Sequence, residues 1–299
     1  MKNFRLYLSP YSSVIYLILF VFSIFFILNK EVPQPIVDDT TTIDLVNGFT
    51  LIKTKSTFEQ NKVQTLATFF KMEKIPSCKI KFVSRKNFKE DFNFENIEKQ
   101  CELKNEQIVL QVASAFTPDW KVIEGFALQD GKIVGEDSYL GENQKLSYQG
   151  ILLIKNGKPF ITCLNKILDR NKFTTDAIRD ECSMFQQFPA IIDGKINSAI
   201  ELPGIHIRRF FVEIMEDNQS KFGIIDFKIA MSYTDAVRAL KHLELNNIKI
   251  HNALYLDMGA VSEGYIYNSK GQRHLIGDPH KNINNYTNVL VMYKDLKID

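Results

Sequence analysis

Asp257, Ser262 and Arg209 are the residues of this chain whose types and settings could handle a charged, hydroxyl-rich ligand. Residues 252–256 read as a short buried strand of apolar and aromatic residues. Asp257 follows at the strand's carboxyl end, where a binding crevice usually opens. Gly259 and Gly264 permit backbone conformations that a β-carbon forbids, so a ligand could approach the main chain there. Ser262 adds a hydroxyl that both donates and accepts. The competing reading makes Asp257 a cap of the turn after the strand, assisted by Ser262. Arg209 carries a guanidinium fork that matches phosphate oxygens. Arg208 competes for that role, because adjacent strand residues face opposite sides. Gln186 could hydrogen-bond a substrate or make an edge contact. Hydrolytic acid–base chemistry commonly uses a second acidic or basic group. The sequence identifies no convincing second carboxylate: Glu263 is near Asp257 but its direction is not fixed, and nothing in the sequence supports Glu213.

Other chemistries find little support. The five histidines are scattered, with no HExxH, and there is no CxxC, GxSxG, P-loop or GxGxxG. No metal site and no cofactor is expected, although a divalent metal is left open. A net charge of +2 gives no electrostatic case for nucleic acid.

Several elements must position these residues. Residues 58–72 carry Val63, Leu66, Phe69 and Phe70 at helical spacing. Residues 79–83 alternate as a half-buried strand, and 107–112 form a buried strand. Residues 87–104 read as a helix or an exposed loop, and 166–179 as partly helical. Asp130-Gly131, Asn156-Gly157 and Asp193-Gly194 lie between apolar runs and signal hairpins. The clearest helix begins at Ser232 or Thr234 as N-cap and buries Ala236, Val237, Leu240 and Leu243. Residues 289–293 read as the last strand. The expected class is α+β: a twisted, largely antiparallel or mixed sheet with hairpins and packed helices.

The N-terminus sets the expected topology. Residues 11–28 are uncharged over 18 positions, close to the length that spans a hydrocarbon core. No small-residue cleavage site follows. Residues 1–30 therefore read as a membrane anchor or signal segment, 31–45 as a linker and 46–299 as an extracytoplasmic domain. Export would permit disulfides, and sequence neighbours suggest Cys78–Cys101 and Cys163–Cys182, against four buried thiols.

The stretch from Asn252 to Tyr267 resembles the "NALYLDG…S…Y" signature of the phosphodiester glycosidase family. Further stations follow the family's order. Ala113-Ser114-Ala115-Phe116-Thr117-Pro118-Asp119 resembles "NAGMF-x-PD", with Glu124 to Lys132 after it. Tyr148-Gln149-Gly150-Ile151-Leu152 resembles "PNGVF". Gln186 to Ile196 resembles "QSGPxLVIDGKI", and Arg208-Arg209 stand where the family has "RRNGVGV". Together these cover about residues 105–293. The resemblance implies a hydrolase acting on a sugar–phosphate diester, with Asp257 and Arg209 as catalytic groups. Gln186, Ser262, Gly259 and Ser114 would bind substrate, a glycan or sugar-phosphate. Val112, Phe188, Phe210 and Met258 depart from the pattern, each bulky where the family has a polar residue or glycine. A family member that binds glycan without turnover, or serves a structural role in the envelope, is the second reading.

Overall fold

The computed structural model describes residues 35–37, 45, 48–58, 62–73, 77–117, 122–141, 149–243, 249–256, 262–277 and 287–297. Side chains at 35–37, 54–58, 62–66 and 242 are excepted. The expected membrane segment 11–28, and Asp257, Met258 and Gly259, lie outside these residues. No helix among the described residues is long and apolar enough to cross a membrane.

The first strands are β1 (Pro35–Val37), β2 (Phe49–Phe58), β3 (Lys62–Met72), β4 (Cys78–Ser84) and, after helix α1 (Phe94–Leu103), β5 (Glu106–Ala113). Hairpins β6 (Ala127–Gln129) with β7 (Lys132–Ile133), and β8 (Gly150–Lys155) with β9 (Lys158–Cys163), precede helix α2 (Arg170–Arg179). Then come β10 (Ser183–Gln187), β11 (Pro189–Ile192), β12 (Lys195–Ile196), β13 (Arg209–Glu216) and β14 (Gln219–Phe227). Helix α3 (Tyr233–His242) leads to β15 (Lys249–Tyr255), β16 (Gly264–Tyr267), β17 (Arg273–Ile276) and β18 (Asn288–Asp295).

These strands build three sheets, ordered β1-β2-β3-β14-β13-β15-β11-β12, β7-β6-β10-β8-β9 and β17-β16-β5-β18-β4. The register of each places its strands antiparallel. One apolar core lies between all three. Phe211, Ile224 and Leu254 come from the first sheet, Leu152 and Phe185 from the second, and Phe82, Val112 and Leu290 from the third. The rings of Phe82 and Phe185 meet at 5.0 Å across that core. Each sheet also buries its outer face under one helix. The first sheet packs Phe210, Val212 and Ile225 against α3. The second packs Met184 and Leu128 against α2. The third packs Val289 and Val291 against α1.

The fold is therefore predominantly β, and the α+β expectation is corrected. The helices are lids of ten residues on the outside of the sheets and do not form a layer of their own. The largest misreading is β3. It lies between β2 and β14, with Phe70 and Met72 in the central core and Ala67 and Phe69 in the outer one. A strand buried on both faces loses strict alternation, and its apolar spacing then imitates a helix. Local signals elsewhere hold. The Asp130-Gly131, Asn156-Gly157 and Asp193-Gly194 pairs have positive φ at both positions, as a type I′ hairpin turn requires. Ser232 Oγ accepts from Asp235 N–H at 3.1 Å and caps α3. Within the expected linker, Pro35–Val37 pairs with β2 as an edge strand.

The cysteines correct a second expectation. All four are buried thiols, and neither proposed bridge fits the sheets. Cys163 lies opposite Gly150 on β8, while Ser183, next to Cys182, lies opposite Ile154 on the other side of β8. Four residues along a strand span about 13 Å, well beyond disulfide reach. Cys78 faces the central core and Cys101 the outer one under α1, so the third sheet stands between them. Burial pushes the Cys163 thiol up to about 11. We expect a denatured, unreduced chain to alkylate at all four cysteines, whereas the native chain reacts slowly. A mapped Cys163–Cys182 peptide would contradict this arrangement.

Candidate functional site at the junction of the sheets

Arg209 is the first residue of β13 and faces Asp226 across the ladder to β14. Its Nε donates to Asp226 Oδ1 at 3.0 Å, and Nη2 lies 2.9 Å from the same oxygen. Both side chains have 0 % exposure. Lys228 binds the other oxygen of Asp226 and reaches toward solvent. Arg209 Nη2 also donates to the Ser262 carbonyl at 2.9 Å. Meanwhile the Arg209 carbonyl accepts from Leu256 N–H at 2.9 Å. One residue thus holds both ends of the connection from β15 to β16: Leu256 through its main chain, Ser262 through its guanidinium. Asp257 belongs to that connection and lies outside the described residues.

Two more segments converge here. Tyr255 N–H donates to the Phe188 carbonyl at 2.9 Å, where the chain passes from β10 into β11. Gln187 Nε2 donates to the Ser114 carbonyl at 3.1 Å. Ser114 Oγ and Ala115 N–H both donate to Asn288 Oδ1 at 2.6 Å, which fixes the exit of β5 to the start of β18. Phe188 stands edge-on to Phe116 at 5.8 Å and near Tyr255 at 6.3 Å. The junction therefore gathers Ser114, Gln187, Phe188, Arg209, Leu256 and Ser262.

The placement of the expected site residues is uneven. Arg209 and Ser262 are joined directly, and Ser114 is joined to them through Gln187, Phe188 and Tyr255. Gln186 points the other way, with its Oε1 accepting from Phe126 N–H at 2.8 Å. Its neighbour Gln187 is the glutamine at the junction, as the two-residue period of a strand requires. Arg209 does not face an open cleft, because its guanidinium is fully enclosed. Its Nη1 has no hydrogen-bond partner among the described residues. Arg208 is also engaged within the protein, donating to Gly204 O at 2.9 Å and Tyr255 Oη at 3.1 Å.

Of the two candidate carboxylates, Glu213 sits farther along β13 and accepts from Asn252 Nδ2 at 2.6 Å. Glu263 is buried beside Ser262 and accepts from the Tyr265 hydroxyl. Burial, and then this hydrogen bond, push the Tyr265 phenol up to about 12, so it remains a donor at neutral pH. No set of three His, Cys, Asp or Glu side chains among the described residues could hold a metal ion. Gly277 adopts φ +74°, and a Cβ there would overlap the Ser262 carbonyl. The bulky departures differ in consequence. Val112 fills space against Gly264, where an added Cβ would come within 2.8 Å of its Cγ1. Phe210 belongs to the outer core under α3. Phe188 belongs to that outer core as well, and both rings pack on Tyr255, Phe210 at 5.5 Å and Phe188 at 6.3 Å.

Asp226, Gln187 and Asn288 were not among the expected site residues. The signal for Asp226 was available: one carboxylate inside the apolar run Gly223-Ile224-Ile225-Asp226-Phe227 needs a buried cation.

No family model matches the sequence, and no curated protein does. A solved structure does match: the catalytic domain of zebrafish N-acetylglucosamine-1-phosphodiester alpha-N-acetylglucosaminidase, auto-inhibited by its pro-peptide. The match has a TM-score of 0.50 at 11% identity and covers 87% of this chain and 86% of that one. The chain has a distant phosphodiester-glycosidase-like fold. At that identity the likeness concerns the fold alone.

Proposed function

We propose that this protein is a membrane-tethered extracytoplasmic hydrolase that cleaves a sugar–phosphate diester in an envelope or secretory-pathway glycan. The observation that supports it most is the double hold of Arg209 on the segment bearing Asp257, within a fold of this kind. In the proposed reaction water adds to the anomeric carbon and the bond from that carbon to the bridging oxygen breaks. The phosphate keeps that oxygen and leaves as a monoester. Asp257 is assigned the acid–base or nucleophilic work, and Glu263 is the carboxylate nearest to it in the chain. Ser262 is assigned to substrate hydroxyls and Gly259 to close approach of the ligand, while Ser114 and Gln187, fully buried and bonded within the protein, are assigned to positioning. Arg209, being enclosed, is a positioning residue here and not the phosphate ligand. A divalent metal is a further proposal, tested by chelation and add-back.

A specific observation favours a second reading. Phe188, packed on Phe116 and Tyr255, fills part of the junction. That supports glycan binding without turnover. Assay of the full-length chain on sugar-1-phosphodiesters separates the two: released sugar supports hydrolysis, and saturable binding without release supports the second reading.

The tether rests on residues 11–28. We expect the chain to stay with membranes after carbonate washing, and protease to reach the domain only from the extracytoplasmic side. Recovery of a soluble chain beginning near Val32 would refute the tether while leaving export in place.

A further inference from the structure

A pocket of about 310 Å³ opens along the outer edge of β4. This is three strand positions from β16, the strand that follows Ser262. β4 is the last strand of its sheet, so one side of its main chain has no neighbouring strand. Ile80 N–H on that side donates to Gly157 O at 2.9 Å, and Ser84 N–H donates to Gln129 Oε1 at 2.9 Å. By the period of a strand, the N–H and C=O of Phe82 point the same way, between these two bonds. The chain closes its own edge at both ends and leaves the Phe82 N–H and C=O between the closures. An added β-strand would collide with both closures, whereas a compact ligand fits between them.

The walls define the ligand's chemistry. Asn87, Gln100 and Asn156 line the pocket and bring three carboxamides, each a donor and an acceptor, and Gln129, whose oxygen holds Ser84, adds the NH2 of a fourth. Hydroxyl groups have the same dual character. The charges are mostly engaged: Lys81 pairs with Glu106, and Asp180 with Lys155. Asp130 and Glu181 remain against Lys104, a balance that disfavours phosphate or carboxylate ligands. The volume is at the lower end for small-molecule sites, suited to one sugar ring. We propose that this pocket binds one neutral pyranose, free or as a unit of a glycan. This does not depend on the hydrolase reading.

The test uses the full-length chain in a detergent without a sugar headgroup. Glucose, mannose and N-acetylglucosamine are titrated by calorimetry and by saturation-transfer NMR, with glucose 6-phosphate as the anionic comparison. At least one neutral sugar should bind with Kd on the order of 1 mM, and more tightly than glucose 6-phosphate. The double variant Asn87→Ala/Gln100→Ala should weaken it about tenfold or more with an unchanged Tm. The same variant should hydrolyse a diester like the parent. If it does not fold, Asn156→Gly keeps the positive φ of the turn and should still weaken binding. The proposal is overturned if none of the three sugars binds at about 50 mM. Preference for the phosphorylated sugar, or unchanged affinity in a folded variant, overturns it equally.

Discussion

Replacing Asp226 with Asn should destabilise the domain by about 3–5 kcal/mol, because it leaves the Arg209 guanidinium buried without its carboxylate. The pair is wholly enclosed, so no water can take the place of the lost charge. Arg209 Nη1 already has no partner among the described residues, which removes the nearest alternative. In urea the midpoint should fall with little change in m, as expected when stability changes and the surface exposed on unfolding does not. Arg209→Met combined with Asp226→Leu should recover most of the loss, since removing both charges removes the desolvation problem. That double variant should still lack activity, because nothing then holds the Ser262 carbonyl. A loss under about 1 kcal/mol for Asp226→Asn would mean that the pair is not buried in solution.

The second large effect concerns Asp257. If this carboxylate does chemistry, Asp257→Asn should lower sugar release by a factor on the order of a thousand or more, with Tm nearly unchanged. If it only caps the turn after β15, the same change should lower stability and affect ligand binding little. Arg209→Lys separates position from charge. A lysine keeps the charge but has no planar fork with which to reach Asp226 and the Ser262 carbonyl together. Activity should fall in that variant even where binding of a sugar phosphate is retained. A phosphate ligand at Arg209 would instead show its main loss in KM.

The sequence was most readable where structure is local. Asp-Gly and Asn-Gly mark type I′ turns because few other residues accept positive φ twice in succession. The start of α3 was narrowed to Ser232 or Thr234, since both precede an acidic Asp235 and an apolar face, and the structure selects Ser232. What escaped depends on long-range pairing. The spacing in β3 looked helical because sheet neighbours bury both of its faces. Cys163 and Cys182 are close in sequence, yet β8 runs between their strands. Arg209 stood out in the sequence, but its partner Asp226 depends on the register of β13 with β14. Gln186 and Gln187 differ by one residue, and only the strand's orientation decides which reaches the junction.

Hydrolysis by this chain stands or falls on release of free sugar from a sugar-1-phosphodiester by the full-length protein, with Asp257→Asn alongside. Turnover by the parent is expected, and none above background by the folded variant. Equal release by both, or none by a folded parent across neutral sugar diesters with and without divalent metal, would contradict it.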